Sequence, residues 1–197
     1  RLGPQVRGIA ASASKPNLVF IMADDQGIGE VGSYGSKVVP TPNIDRLAAA
    51  GMKFTRAYSG SAVCAPTRAV LMTGLHTGHA TRRANMSKNG LIPLRADEIT
   101  VAKKLKEAGY ATGGFGKWGL GNPGTTGIPE KHGFDLWYGY YDQVHAHSYF
   151  PTYLMRNSVE EKLAGNRPAG TKLGKGEGTD YSVDLILKES LGFIEAN

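Results

Sequence analysis

Cys64-Ala65-Pro66-Thr67-Arg68, entered through Ser59-Gly60-Ser61-Ala62-Val63 and continued by Ala69-Val70-Leu71-Met72-Thr73-Gly74, holds the only cysteine of the chain. Small residues lead in, a proline takes an early helical position, apolar Val70 and Leu71 follow, and Gly74 is a C-terminal stop. The pattern predicts a short helix that begins at or just after the cysteine. A sulfur placed there meets unpaired backbone N–H groups and the positive end of the helix dipole, and Arg68 at i+4 falls on the same face. One turn therefore offers a nucleophile, a cation and an anion-binding end. A lone cysteine is often no more than a small buried hydrophobe, but the arginine and the helix start argue for chemistry. A phosphatase-type loop is excluded, because the three residues between Cys64 and Arg68 are too few to wrap a phosphate.

Upstream, residues 17–23 (Asn-Leu-Val-Phe-Ile-Met-Ala) form a continuous apolar run, which predicts a strand buried on both faces. It ends in Asp24-Asp25. Ligand sites of open α/β sheets lie at the carboxyl ends of strands, so this pair is placed to hold a cation. Its hard oxygens suit Ca²⁺ or Mg²⁺ rather than zinc. Thr41-Pro42 opens a helix with Ile44, Leu47 and Ala48 on one face and Gly51 at its end. Residues 52–58 alternate like a strand leading to the cysteine loop.

Downstream, Asp97 is expected to cap a helix to about Ala108, with Ile99, Ala102 and Leu105 on its apolar side and Gly109 as its stop. Residues 110–115 predict a short strand that leads to Lys117. Residues 119–133 are rich in glycine and proline without a period, hence loop. Residues 137–150 are aromatic and include His145-Ala146-His147; residues 165–179 predict a lysine- and glycine-rich loop. The last stretch, 181–197, places Val183, Ile186, Leu187, Leu191 and Ile194 on one stripe of an amphipathic helix. Alternating strands and helices argue for an α/β fold with a mostly parallel sheet.

Composition fits that picture. The 197 residues are 41% hydrophobic and 20% charged with 27 glycines, enough for one substantial globular domain. No stretch approaches the about 20 apolar residues of a membrane span. The net charge of +6 fits an anionic substrate better than nucleic acid, because the basic residues are scattered, densest at Lys103, Lys104 and Lys106 on an expected helix and at Arg82-Arg83 in an expected loop, and lack aromatic interleaving. Residues 1–16 are an irregular segment; Ala11-Ser12-Ala13 is like a signal cleavage site, but no apolar stretch precedes it. Asn85-Met86-Ser87 matches a glycosylation acceptor, a pattern too frequent to carry an argument.

With these residues in view, the segment from Cys64 to Arg68 resembles the C-x-P-x-R signature of the formylglycine-dependent (type I) sulfatases, and Leu71-Met72-Thr73-Gly74 is similar to that family's continuation. Three further blocks agree in order: Asp24-Asp25, Thr41-Pro42-Asn43-Ile44-Asp45 and Gly116-Lys117-Trp118-Gly119-Leu120-Gly121. The resemblance implies an alkaline-phosphatase-like α/β fold, with 17–197 as the N-terminal portion of a catalytic domain. It implies a sulfuric ester hydrolase acting on aryl or carbohydrate sulfates, exported or periplasmic. It also implies a Ca²⁺ ion, with Mg²⁺ as the alternative, on Asp24, Asp25 and Cys64, the cysteine being oxidised to formylglycine by a formylglycine-generating enzyme. Arg68 would stabilise the formylglycine and Lys117 would contact the sulfate ester.

Two departures stand out. Many family members carry a histidine where this chain has Gly119; His145 and His147 are the nearest candidates to serve instead, one in catalysis and one toward substrate. Family catalytic domains also continue past the equivalent of Asn197, so the general acid and remaining metal ligands are expected there. Competing readings are a phosphonate or phosphodiester hydrolase of the same superfamily, a non-catalytic sulfated-glycan-binding protein or inactive fragment, and a cysteine hydrolase pairing a thiolate with His145 or His147.

Overall fold

The computed structural model describes residues 15–85, 90–169 and 176–197. The cleavage-like Ala11-Ser12-Ala13, Met86 and Ser87 of the glycosylation pattern, and the middle of the 165–179 loop lie outside these residues. The chain divides into two compact units, the first ending at Thr55 and the second running Arg56–Asn197.

In the first unit, residues 17–23 are not a buried strand. They pair with no strand among the described residues, and Leu18, Val19, Phe20 and Ile21 are exposed, Ile21 by 82%. A strand buried on both faces needs hydrogen-bonded neighbours and helices over both faces, and neither accompanies this run. Asp24 and Asp25 follow at an exposed bend, Asp25 with a left-handed φ of 57°. Two 3₁₀ turns, Ile28–Glu30 and Gly32–Tyr34, lead to helix α1, Pro42–Ala50. Thr41 precedes α1 as expected, and Gly51 ends it. The Thr41 hydroxyl serves the neighbouring turn: it accepts from Gly32 N (2.8 Å) and donates to Asp45 Oδ1 (3.0 Å), which also accepts from Ser33 N (2.6 Å). That local polar network, not burial of Ile44 and Leu47, holds the unit, because both side chains are exposed. Residues 52–58 form no strand either.

The second unit is built on a mixed sheet of order β1-β2-β3-β4: Gly113–Lys117, Leu136–Tyr140, Tyr153–Arg156 and Val159–Lys162. β1 and β2 are parallel, from Gly113 opposite Leu136 to Lys117 opposite Tyr140; β2–β3 and β3–β4 are antiparallel. The expected dominance of parallel pairs thus reduces to one pair among the described residues. β3 and β4 are antiparallel because the two-residue turn Asn157-Ser158, with Asn157 at φ 45°, reverses the chain at once. β5 (Asn166–Pro168) and β6 (Gly176–Gly178) form a separate antiparallel pair, where loop was expected.

Helix α2 spans Cys64–Thr73, and Gly74 terminates it in the left-handed conformation, as the sequence predicts. Helix α3 is shorter than expected, Val101–Glu107, and its N-cap is Thr100, not Asp97. Asp97 instead pairs with Arg95 (3.1 Å), and Ile99 is exposed. The Thr100 hydroxyl explains the shift: it accepts from Lys103 N (3.2 Å) and donates to the carbonyl of His132 (2.5 Å), a buried interaction unavailable to Asp97. Helix α4, Ser182–Ala196, forms as expected but turns outward all of its predicted stripe except Ile186. Val183, Leu187, Leu191 and Ile194 are exposed, whereas Leu185 and Ile186 pack toward Tyr138, Tyr140 and Leu154, and Phe193 meets Phe115 at 5.7 Å. An ion pair from Glu189 to Arg156 (2.9 Å) fixes that rotation.

The main core gathers Ala65 and Ala69 of α2, Ala80, Leu94, Trp118, Leu120, Trp137, Tyr141 and Met155. Trp118, Trp137 and Phe134 meet edge to face at 5.1–5.7 Å, the arrangement aromatic quadrupoles favour. Gly114 makes this possible: a Cβ there would stand 2.3 Å from the Trp137 ring. The core thereby clamps α2 beside the C-terminal end of β1.

Candidate active site

Cys64 is the first residue of α2, a half-buried free thiol after an extended Val63. The loop before it is folded on itself: Thr67 Oγ1 donates to Ser61 O (2.8 Å) and lies 2.8 Å from Ser59 Oγ. Arg68, one turn on, sends Nη1 to the carbonyl oxygen of Lys117, the last residue of β1. Helix start and strand end are therefore joined by the arginine, and Lys117 is held between this bond and its pairing with Tyr140. Both cations are half-buried, where charge acts more strongly than on an open surface.

Gly119 follows with φ 76°, a conformation that suits glycine. The side chain over it is Gln143: a Cβ on Gly119 would lie 3.1 Å from Gln143 Cγ and Cδ and 3.2 Å from Oε1. Gln143 is 7% exposed, and its Nε2 donates to Asn85 Oδ1 (3.1 Å). The same Asn85 oxygen accepts from Ala65 N (2.9 Å), the residue after Cys64. Since a backbone N–H can only donate, the Asn85 atom is oxygen and the Gln143 atom facing it is the amide nitrogen. Arg82, 1% exposed, donates from Nη1 to Ile92 O (2.8 Å) and from Nη2 to Asn85 O. It is a buried strut.

His145 and His147 bracket a 3₁₀ turn after β2. His145 is half-buried between Tyr153 (4.3 Å) and the edge of Tyr140 (5.1 Å). Burial lowers its pKa below that of a free imidazole, against the opposing pull of Asp142 and Glu160. His147 is exposed. The structure thus brings together Cys64, Arg68 and Lys117 within the second unit, and sets His145 among tyrosines. Asp24 and Asp25 lie in the first unit as adjacent exposed carboxylates; their donor set fits a hard divalent cation.

Gln143 escaped the sequence reading, and Asn85 entered it only as part of a glycosylation pattern. Neither sits on a periodic face, and the one signal pointing toward them was indirect: a glycine at position 119 leaves room that another side chain must fill.

Comparison with known proteins is concordant. The family profile described as Sulfatase matches residues 16–197. Human steryl-sulfatase is 43% identical over 140 residues, covering 65% of this chain and 24% of that protein. The N-acetylgalactosamine-6-O-sulfatase of Bacteroides thetaiotaomicron is 44% identical over 117 residues, 58% of this chain and 23% of that protein. The solved structure of BT4656 in complex with its substrate D-glucosamine-2-N,6-O-disulfate superimposes with a TM-score of 0.71 at 26% identity, covering 93% of this chain and 32% of that one. The chain spans about a quarter of the length of the curated relatives it matches.

Proposed function

Because this chain belongs to the sulfatase family, with the alkaline-phosphatase-like α/β fold of its structural relatives, we propose that the whole protein is a sulfuric ester hydrolase acting on aryl or carbohydrate sulfates. The observation that carries this reading is the Arg68 guanidinium, which ties the start of the Cys64 helix to Lys117 at the end of β1. A sulfate ester seated there meets two cations and a helix N-terminus, the electrostatics that charge developing on sulfate oxygens requires. The relatives named steryl-sulfatase and N-acetylgalactosamine-6-O-sulfatase frame the substrate range.

Cys64, as formylglycine made by a formylglycine-generating enzyme, supplies a hydrated aldehyde: one hydroxyl to attack sulfur, the other to expel sulfate afterwards. Arg68 holds that residue, and Lys117 binds the sulfate oxygens. Asp24, Asp25 and the modified Cys64 are the groups that would hold Ca²⁺, or Mg²⁺, whose charge would lower the pKa of a hydroxyl beside it. His145, whose pKa burial lowers, is assigned the catalytic part of the histidine absent at Gly119, and exposed His147 is assigned to substrate contact. Export or a periplasmic location accompanies this reading; no helix among the described residues is long and apolar enough to cross a membrane.

The test is direct. In protein from a host with the modifying enzyme, the peptide containing residue 64 is expected to be about 18 Da lighter than its cysteine form. The same preparation should hydrolyse an aryl sulfate faster than the matching phosphate ester. An intact thiol with no turnover would sink the proposal, and preference for the phosphate ester would move it to a phosphodiester or phosphonate hydrolase.

A further inference from the structure

The first N–H groups of a helix have no partner within it, and α2 has no side-chain cap of its own from Val63. The donor at Ala65, adjacent to the reacting residue, is met from 20 positions away by Asn85. Asn85 is itself held from two sides. Arg82, buried, binds its carbonyl oxygen, and Gln143 binds its side-chain oxygen (3.1 Å). Gln143 lies close over Gly119: a Cβ there would come within 3.1 Å of its Cγ and Cδ and press the amide aside by a few tenths of an ångström. The amide oxygen of Gln143 remains buried without a hydrogen-bond partner among the described residues. Leaving a buried acceptor unmet is costly, so packing alone does not account for an amide at this position when leucine would fill the same volume.

We propose that Gln143 is a positioning residue for the reaction at Cys64: seated on Gly119, it orients Asn85 so that Asn85 fixes the Ala65 N–H and with it the first turn of α2. The inference rests on the reading of Cys64 as the reacting residue. Its logic is directional. Gln143 donates, Asn85 accepts twice, and Ala65 donates, so reversing any one amide sets two donors or two acceptors face to face. A shift of about 1 Å in the first turn is enough to cost on the order of 100-fold in rate.

The experiment uses the whole enzyme and four variants: Gln143→Leu, Gln143→Glu, Asn85→Leu and Asn85→Asp. Gln143→Leu and Asn85→Leu are each expected to lower kcat on the order of 10- to 100-fold with little change in KM, and the double variant to be no worse than either single one. Gln143→Glu keeps the shape but loses the donor, and is expected to behave like Gln143→Leu. Asn85→Asp keeps an acceptor for both donors and is expected to retain most of the activity. Amide hydrogen exchange supplies a readout independent of turnover. Exchange at Ala65 should quicken roughly fivefold or more in Gln143→Leu, the loss of about one net hydrogen bond, while Gly74, bonded to Val70 O at the far end of α2, stays unchanged. Unaltered Ala65 exchange in Gln143→Leu overturns the proposal. So does acceleration spread equally over both ends of the helix, which marks a general core defect, or additive losses in the double variant. If the wild-type enzyme cleaves no sulfate ester, the functional reading falls, and Ala65 exchange still decides whether Gln143 sets the first turn.

Discussion

At the scale of single residues, Arg68 does two jobs with one side chain. Its position at i+4 from Cys64 follows from helical spacing, but its bond to the Lys117 carbonyl depends on where β1 ends. A guanidinium can make that bond and still present further N–H groups, because its donors are several and fixed in a plane; an ammonium is a point charge on a flexible stem. Arg68→Lys is therefore expected to preserve charge and lose function, with kcat falling on the order of 100-fold as when a transition-state donor is removed. Steady-state kinetics on an aryl sulfate checks this. Lysine supporting near-native turnover would show that charge alone is needed and that the bond to β1 is incidental. Gly119 is the converse case, a residue whose contribution is the absence of a side chain.

At the scale of elements, helices are specified by their ends more than by their periodicity. α2 begins and stops where its sequence says, because Gly74 and the small residues before Cys64 are local signals. α3 does not, because two caps compete, and Thr100 prevails through the buried carbonyl of His132, 32 residues away. Thr100 is fully buried and serves both partners. Thr100→Ala is thus expected to destabilise the protein by about 1–3 kcal/mol, a lost cap plus an unmet carbonyl, and Thr100→Ser to recover most of it. Urea unfolding measures the difference; an Ala variant within error of wild type would mean that Asp97 takes over the cap. α4 teaches the same lesson about faces. Its apolar residues mark two stripes, and the ion pair from Glu189 to Arg156, with Phe193 against Phe115, selects the one that faces the sheet.

At the scale of the whole molecule, two histidines tie stability to pH. His132 is fully buried, and its pKa is lowered first by that burial and then by Lys103, against a hydrogen bond to the Thr126 carbonyl and the charge of Glu98. His145 is lowered by burial as well. Both imidazoles stay neutral in the folded chain at a pH where the unfolded chain, with a pKa of about 6.5, takes up protons. Unfolding therefore binds protons as the pH falls, so their contribution is whole above that value and declines on acidification. The urea midpoint is expected to drop between pH 8 and pH 5, and His132→Gln to drop less steeply. A midpoint that rises on acidification would contradict this placement of both rings. Ion-paired carboxylates add their own losses only at lower pH, since the pKa values of Asp135 and Glu189 are lowered, first by Lys106 and by Arg156 respectively.

Much of the protein was legible in order along the chain. The helix at Cys64, the glycine that ends it, the helix after Thr41 and the C-terminal helix all rest on signals within a few residues, and local rules carry them; the strand expected over 110–115 forms over Gly113–Lys117, where pairing with β2 sets its bounds. Four short blocks in sequence sufficed for the family. What the sequence could not decide were matters of partnership between distant residues. Residues 17–23 read as a buried strand because apolar content predicts burial only if neighbours arrive to cover it; here they are exposed. The single parallel pair among the described residues, the face that α4 turns to the sheet, the cap of α3 and the tyrosines around His145 depend on which surfaces meet, and that is settled by packing. The clearest case is the space above Gly119. The sequence by itself marked it as vacant of an imidazole; only the tertiary structure, by closing β2's following turn over β1, filled it with Gln143 and linked that amide through Asn85 to the helix that carries Cys64.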